Sequence, residues 1–257
     1  ACNLSVKLAV DHGFGSLRGF VNGVLRNIAR NRDGIKYPDK NTSPLEYYSV
    51  EYSVPVELVE ILLQDYDSET VDRILGSSYE MRPTSIRVNT DRISVDEVER
   101  KLETAGIETV RGSLNDTSLL IKGYDYVRRI PGFMDGEFVV QDQSSCLAVR
   151  AAGIQNGDLV VDVCAAPGGK TMYAASLAGQ TGRVISRDLT ENKTELIEEN
   201  VDRLGLANVT VEAWDARELD ENLVGKADVV IADLPCSGLG IMGRKNDIKY
   251  NVTGGSI

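Results

Sequence analysis

The residues with the clearest potential for chemistry lie between Val160 and Thr171, in the segment Val-Val-Asp-Val-Cys-Ala-Ala-Pro-Gly-Gly-Lys-Thr. The apolar residues predict a buried strand, and the glycines stand where a helix should begin. Glycine lets a backbone approach a ligand closely, and the free N–H groups of a helix N-terminus favour negative or polar atoms. The segment therefore predicts a binding site for a polar or anionic cofactor.

Two common cofactor motifs do not fit this segment. A P-loop requires the pattern Gly-x-x-x-x-Gly-Lys-Ser/Thr, and Cys164 stands where its first glycine would be. The dinucleotide fingerprint Gly-x-Gly-x-x-Gly is also absent. The spacing therefore argues against a nucleoside triphosphatase and against an NAD enzyme.

Acidic residues follow the next three predicted strands: Asp188, Asp215 and Asp233. In an open α/β sheet a ligand lies across the carboxyl ends of the strands. Asp188 suits ribose hydroxyls, because a carboxylate can accept two hydrogen bonds, and Asp215 suits an adenine amino group. Any one of them alone is explained as a helix N-cap or a solvated acid. Together with the glycine-rich turn they predict a site for S-adenosylmethionine.

A cysteine follows the last of these strands, in the segment Asp233-Leu-Pro-Cys236-Ser-Gly-Leu-Gly240. Carbon 5 of cytosine is a weak nucleophile, and a thiolate that adds to carbon 6 makes carbon 5 enamine-like, which splits one hard step into two. Asp233 would stabilise such an adduct near ring nitrogen 3. The ordinary alternative for Cys236 is a small buried loop residue. Its position beside the predicted cofactor site favours the chemical role.

The elements that must position these residues form an α/β pattern from about Asp142 onward. Apolar strands alternate with helices, which predicts a doubly wound, Rossmann-like parallel sheet. We predict strands at Leu159–Val163, Arg183–Arg187, Val209–Glu212 and Ala227–Ala232, and helices at Thr171–Ala178 and Thr190–Leu204.

A different pattern precedes this sheet between Met81 and Gln141. One strand, one helix and three short strands follow each other, which predicts a small α+β module with a ferredoxin-like layout. Ser94 and Glu97 form a capping-box pattern at the start of the helix Val95–Ala105. The strands are predicted at Thr84–Thr90 and near Glu108–Arg111, Leu119–Ile121 and Phe138–Gln141.

The first 80 residues are predicted to be helical and partly basic. The amphipathic helix Gly15–Arg32 carries several arginines, which suit either a solvated face or an RNA-binding face. The polar stretch Asp33–Pro55 is predicted to be a linker, and helices are predicted at Pro55–Tyr66 and Glu69–Ser77.

Composition limits the function classes. The 257 residues include four cysteines and no Cys-x-x-Cys pair, so we expect no metal site and no disulfide framework, and free thiols suit the cytoplasm. There is no apolar run of about 18 residues that would predict a membrane span. The net charge of −11 argues against a nucleic-acid partner, but residues 1–44 hold seven Lys/Arg and three Asp/Glu, a local balance of +4.

The paired motifs resemble the Sun/Nop family of RNA cytosine-5 methyltransferases, and most closely its bacterial RsmB-type branch. The motifs are Cys164-Ala-Ala-Pro-Gly-Gly-Lys170 and Asp233-Leu-Pro-Cys-Ser-Gly238. The segments Arg82–Asn89, Pro131–Gly136 and Val140–Ser145 are similar too, and Leu17–Asn27 resembles the end of a NusB-like RNA-binding domain.

This resemblance implies methylation of cytosine carbon 5 in small-subunit (16S) ribosomal RNA by an RNA-binding enzyme. We expect a cytoplasmic protein that acts as a monomer, without a metal or a membrane partner. It implies catalytic roles for Cys236 and Asp233. It implies S-adenosylmethionine binding through Cys164, Ala165, Ala166, Pro167, Gly168, Gly169, Lys170, Asp188, Asp215 and Asp233.

The resemblance also implies four parts along the chain. Residues 1–44 are expected to be the end of the NusB-like domain, and residues 45–80 a helical linker. Residues 81–141 are expected to be a ferredoxin-like RNA-binding module. Residues 142–257 are expected to be a Rossmann-like methyltransferase domain that is incomplete at its C-terminus.

One departure from the family concerns the nucleophile. In the RNA enzymes it resembles a second cysteine, in a Thr-Cys pair on a later strand, while the Pro-Cys cysteine assists product release. This sequence has no cysteine after Cys236, and Gly254–Ile257 resembles the lead-in to that later strand. We therefore expect a longer chain. The alternative is a non-catalytic RNA-binding or ribosome-assembly protein that retains the methyltransferase fold.

Overall fold

The computed structural model describes residues 2–251, which form two compact units. Unit 1 holds the described residues up to Glu80 together with those from Ser237 onward. Unit 2 runs from Met81 to Cys236. No helix among residues 2–251 is long and apolar enough to cross a membrane.

Unit 1 is helical. Its core consists of buried side chains from three consecutive helices, among them Tyr48, Val59 and Leu75. Asp67 caps the third of these, because its carboxylate accepts a hydrogen bond from the Thr70 N–H at 2.8 Å. The helices are α1 (Cys2–Asp11), α2 (Arg18–Arg30), α3 (Pro44–Glu51), α4 (Val56–Asp65), α5 (Ser68–Gly76) and a short α10 (Ile248–Asn251).

The predicted linker Asp33–Pro55 is wrong over Pro44–Glu51, where the structure has α3. Pro44 occupies the first helical position, where proline costs no hydrogen bond. Tyr48 is fully buried and its hydroxyl donates to the Ser68 carbonyl at 2.9 Å. The burial of the Tyr48 ring therefore favours a helix in this polar stretch. The composition of the stretch did not indicate that helix.

The first part of unit 2 is an antiparallel sheet with one covering helix, as the ferredoxin-like prediction required. The strand order is β2-β3-β1-β4, and α6 connects β1 to β2. The predicted capping box is present, because the Ser94 side chain accepts from the Glu97 N–H and the Glu97 carboxylate accepts from the Ser94 N–H. The elements are β1 (Thr84–Val88), α6 (Val95–Thr104), β2 (Glu108–Arg111), β3 (Ser118–Lys122) and β4 (Phe138–Val140).

The two faces of this small sheet differ. One face is apolar and packs on α6, with Ile86, Leu119 and Phe138 in the core. Side chains alternate along a strand, so Ser85 and Arg87 of β1 lie on the other face, and both are nevertheless buried. A sheet with a buried polar face must place its polar groups against another part of the molecule.

The second part of unit 2 is a parallel sheet in the order β7-β6-β5-β8, which confirms the Rossmann-like prediction. Helices α7 and α8 pack on it through Cys146, Val149 and Ala174, against Val160 and Val184 of the strands. The elements are α7 (Gln143–Ala151), β5 (Leu159–Asp162), α8 (Gly169–Ala178), β6 (Arg183–Asp188), α9 (Glu191–Leu204), β7 (Val209–Ala213) and β8 (Val229–Ile231).

The opposite face of the parallel sheet has a lighter cover. The connection from β7 to β8 is irregular. It borders an open cavity of about 350 Å³, which Val161 and Val230 of the sheet also line. Trp214 and Leu219 line the same cavity. The carboxyl ends of β5, β6, β7 and β8 meet at one edge, which places the predicted site residues side by side.

Candidate cofactor and catalytic site

The glycine-rich turn between β5 and α8 has a conformation that only glycine suits at position 168. Gly168 has φ of +101°, and a Cβ placed there would lie 2.5 Å from the Met172 methyl carbon. The Gly168 N–H donates to the Ala165 carbonyl at 2.7 Å, and the Ala165 N–H donates to the Arg187 carbonyl at 2.9 Å. The turn is therefore closed on itself and attached to β6.

Helix α8 begins at Gly169, directly after this turn. The first N–H groups of a helix have no carbonyl acceptor within it, so they are available to a ligand and favour negative charge. Asn200 of α9 donates to the Pro167 carbonyl at 3.0 Å and holds the turn from the outside. The backbone from Cys164 to Lys170 thus forms a fixed cradle with donors at the start of α8.

Asp188 lies at the end of β6 and contacts the turn directly. Its carboxylate accepts hydrogen bonds from the Ala166 N–H at 3.0 Å, the Leu189 N–H at 2.8 Å and the Lys193 ammonium at 2.9 Å. Burial alone would raise the pKa of Asp188, but Lys193 and the two N–H groups lower it overall. Asp188 is therefore a charged carboxylate held against the turn, with lone pairs left for a further donor.

Lys170 and Asp233 form an ion pair across the edge of the sheet. Lys170 belongs to the first turn of α8, and Asp233 follows β8, so the pair joins the glycine-rich turn to the segment that carries Cys236. Asp233 is mostly exposed, and Cys236 is exposed as well. The structure thus brings the two predicted motifs to the same edge.

Asp215 lies beside Asp188, because the N–H of its neighbour Trp214 donates to the Asp188 carbonyl at 2.9 Å. Its carboxylate is bound to the Arg217 guanidinium, which lowers the pKa of Asp215 to about 2. The sequence did not indicate this partner. A ligand that used Asp215 would share it with Arg217.

Cys164 is a poor candidate for a nucleophile, although it belongs to the motif. Partial burial, and then the negative charge of Asp188, raise the pKa of the Cys164 thiol. A thiol must ionise before it attacks, so this cysteine remains a neutral part of the turn. Its backbone, which leads into the turn, is the part that a ligand would meet.

Asp162 is a site residue that the sequence reasoning missed. It ends β5 and is buried, and its carboxylate accepts a hydrogen bond from the Thr171 hydroxyl at 2.8 Å. The Thr171 hydroxyl also lies 2.8 Å from that of Ser186. The other Asp162 oxygen has no hydrogen-bond partner within residues 2–251, and burial raises the pKa of the Asp162 carboxyl to about 6. An acid at the end of an apolar strand was the signal that could have indicated it.

The donor set suits a ligand with hydroxyl groups and an anionic end. Carboxylates at the ends of β6 and β7 accept from hydroxyl and amino groups, and the start of α8 offers N–H donors to an anion. Four carboxyl ends in register place both functions at one edge. This is the arrangement that an adenosine bearing an amino-acid group requires.

Two family models match the chain, and their matched ranges include residues of both units. A model described as 16S rRNA methyltransferase RsmB/F matches residues 150–257, and an RsmF/B-like ferredoxin-like domain matches residues 54–127. The chain belongs to the RsmB/F methyltransferase family. The further likeness of residues 1–44 to a NusB-like domain stays a prediction, as do the predicted domain boundaries and site residues.

Individual relatives agree with this family. The chain is 35% identical to the probable ribosomal RNA small subunit methyltransferase B of Bacillus subtilis, over 97% of this chain and 56% of that protein. It is 29% identical to the human 28S rRNA (cytosine(4447)-C(5))-methyltransferase, over 91% of this chain and 28% of that protein. The chain therefore spans about half the length of its bacterial relative.

A solved structure shows the same fold. The crystal structure of the protein PH0851 is similar with a TM-score of 0.83 and 26% sequence identity. The match covers 97% of this chain and 55% of that chain. The two proteins therefore share their fold over nearly all of the present sequence.

Proposed function

We propose that this chain is the cofactor-binding and RNA-binding part of an S-adenosylmethionine-dependent methyltransferase that methylates carbon 5 of a cytosine in small-subunit ribosomal RNA. The observation that carries the proposal is the joint position of the two motifs at one edge of the sheet, through the Lys170–Asp233 ion pair. The names of the bacterial and human relatives support ribosomal RNA, and the human name supports cytosine carbon 5.

The cofactor would be held by the cradle from Cys164 to Lys170 and by the acids along the sheet edge. Asp188 is the ribose partner, because it is ionised and fixed against Ala166. Asp215 is the partner of the adenine amino group, and Asp233 lies at the methyl-donor end. When bound, S-adenosylmethionine supplies an electrophilic methyl group.

The chain's own residues would prepare the cytosine. A cysteine thiolate would add to carbon 6 and make carbon 5 nucleophilic. Carbon 5 would accept the methyl group as its bond to the cofactor sulfur breaks and S-adenosylhomocysteine leaves. Loss of the proton from carbon 5 would then restore the ring double bond and release the thiolate. Cys236 assists that release, and Asp233 stabilises the adduct at ring nitrogen 3. Lys170 holds Asp233 in place through their ion pair until the base arrives. The family assigns the attacking thiolate to a second cysteine.

The base must leave its stack to reach this edge, so single-stranded or loop RNA suits the site better than a duplex. The ferredoxin-like module lies in the same compact unit as the sheet and offers an adjoining surface for the RNA. The basic helix α2 adds positive charge within unit 1.

A methyl-transfer assay tests this function. Purified protein with labelled S-adenosylmethionine should label small-subunit ribosomal RNA at cytosine and should leave duplex DNA unlabelled. Label in DNA alone would overturn the choice of RNA. Failure to bind the cofactor in calorimetry would favour a non-catalytic RNA-binding protein instead.

A cysteine variant tests the role of Cys236. In a protein that also carries the second cysteine, Cys236→Ala should accumulate a covalent protein–RNA adduct on a denaturing gel, because release is slowed while addition by that cysteine continues. Cys2→Ala, which changes a cysteine of unit 1, is the matched control and should show no accumulation. Loss of all adduct in Cys236→Ala would make Cys236 the attacking group.

A further inference from the structure

The polar face of the small sheet lies behind the glycine-rich turn. Val139, on this face of β4, packs with Ala165 and Met172 on either side of the turn. Gln141, two residues further, lies on the same side of the chain and is 5% exposed. A Cβ placed on Gly169 would lie 3.7 Å from the Gln141 side-chain nitrogen. Gln141 therefore supports the first residue of α8.

Gln141 is bound to a buried arginine. The Arg87 Nε donates to the Gln141 Oε1 at 2.8 Å, and the guanidinium lies 4.4 Å from the centre of the Tyr173 ring. No carboxylate among residues 2–251 forms an ion pair with Arg87. Asp91 acts on Arg87 through its charge, and its carboxylate accepts a hydrogen bond from the Ser176 hydroxyl at 2.7 Å.

The positive charge of Arg87 is therefore buried without a bonded counter-charge. Burial lowers the pKa of Arg87, but a guanidinium stays protonated in proteins. A buried charge of this kind is costly unless an opposite charge approaches it. The position behind the cradle at the start of α8 makes an anionic ligand group the candidate for that opposite charge.

The Gln141 amide contacts the Arg87 guanidinium on one side and lies close to Gly169 on the other. Its oxygen accepts from Arg87, which polarises the amide and strengthens its N–H groups as donors. The Gln141 nitrogen is buried and has no acceptor within the described chain. An unpaired buried donor is unfavourable, so an acceptor that reaches the turn would gain from bonding to it.

We propose that the Arg87–Gln141 pair makes the start of α8 selective for a carboxylate, the anionic end of the amino-acid part of the cofactor. This inference rests on the proposed function, because it concerns the same cofactor. It adds a positioning role for a residue pair of the ferredoxin-like module, which would thereby take part in cofactor binding as well as in RNA binding.

Two ligands separate this role from a structural one. S-adenosylhomocysteine carries the carboxylate, whereas 5′-methylthioadenosine has the same nucleoside and sulfur without the amino-acid group. Calorimetry on Gln141→Leu should show an affinity for S-adenosylhomocysteine that is about tenfold weaker, as expected for a lost charge-assisted hydrogen bond. The affinity for 5′-methylthioadenosine should change less than about twofold, because that ligand lacks the carboxylate.

A second variant keeps the pair but cancels its charge. Gln141→Glu can still bond to Arg87, so the fold is maintained, and its carboxylate would repel that of the ligand. We expect S-adenosylhomocysteine to bind more weakly than in Gln141→Leu. Gln143→Leu is the matched control. Gln143 is the first residue of α7, and its side chain accepts a hydrogen bond from the Leu114 N–H instead of contacting Arg87. It should leave the ratio of the two affinities unchanged.

The outcomes distinguish the two proposals. If the unaltered protein binds neither ligand, the cofactor proposal fails. If it binds both, but each Gln141 variant weakens both equally or neither, the cofactor proposal stands and the selectivity of the Arg87–Gln141 pair is overturned. Thermal unfolding followed by circular dichroism identifies any variant that has lost its fold, and Gln141→Glu then decides in place of Gln141→Leu.

Discussion

Arg87 and Arg187 occupy two regions of unit 2 that look alike at first. Arg87 is 4% exposed and stacks on Tyr173, and Arg187 is 6% exposed and stacks on Trp214 at 4.5 Å. Their partners differ. The Arg187 guanidinium donates to Glu212 at 2.9 Å and to Asp220 at 2.6 Å, whereas Arg87 donates to the neutral Gln141.

The charge of Arg187 is bound to two carboxylates and stabilises the fold. The charge of Arg87 has no bound carboxylate among the described residues and remains available to a ligand. Burial would lower the pKa of Arg187, but Asp220 and Glu212 raise it overall; burial lowers the pKa of Arg87. The Arg187 side chain joins β6 to β7 and to the connection beyond β7. Arg87 lies behind that turn with its charge uncompensated, which suits an anionic ligand.

The largest effect is expected when the compensated arginine is removed. Arg187→Met would leave Glu212 and Asp220 without their cation, and breaking one side of a buried pair costs about 3 kcal/mol. Urea unfolding followed by circular dichroism measures this loss in the free energy of unfolding.

The control for this measurement is Arg128→Met. Arg128 pairs with Glu199 at 3.2 Å, and both side chains are exposed, so the loss should stay below about 0.5 kcal/mol. Equal losses in the two variants would remove the stated contrast between a buried and an exposed ion pair.

Two aspartates of unit 2, Asp220 and Asp162, show the same contrast between a paired and an unpaired charge. Asp162 predicts an effect of pH on the free energy of unfolding. Arg187 lowers the pKa of Asp220, whereas burial raises the pKa of Asp162 from 3.8 to about 6. Because the pKa of Asp162 is raised in the folded state, the contribution of this residue to stability is lost as the pH rises from about 4 through 6. The loss from Asp162 is about 3 kcal/mol, at 1.36 kcal/mol per pKa unit.

Asp162→Asn should remove this pH dependence. The difference in free energy of unfolding between the variant and the original protein should grow in favour of the variant between pH 4 and pH 7, as measured by urea unfolding at several pH values. Asp125→Asn changes an exposed aspartate and should leave the profile unaltered. A constant difference for Asp162→Asn across this range would contradict the assignment.

Among the buried residues compared, the smallest effect on stability is expected at Arg87. Arg87→Met leaves no carboxylate unpaired, and replacing a buried charge by an apolar side chain is often nearly neutral, so the free energy of unfolding should change by about 1 kcal/mol or less. The affinity for S-adenosylhomocysteine should nevertheless fall about tenfold, as for Gln141→Leu. A loss of stability as large as that of Arg187→Met would make Arg87 a structural residue only.

Much of the fold could be predicted from local patterns. The apolar run of β5, the glycines after it and the Ser94–Glu97 capping box are encoded within a few residues, so their elements formed where they were expected. The strand ends then located Asp188 and Asp233, because parallel strands finish at one edge. Helix α3 was missed because its formation depends on the burial of Tyr48.

The sequence alone determined the cofactor motif, the Pro-Cys segment and the likeness to one family, because these consist of residues that are adjacent in the chain. Only the tertiary structure decided which charges are compensated. Arg87 and Gln141 are 54 positions apart and meet through the pairing of β1 with β4. Arg187 and Asp220 are 33 positions apart and meet across the parallel sheet. Burial and long-range pairing set the electrostatic role of each residue, and no local pattern records either.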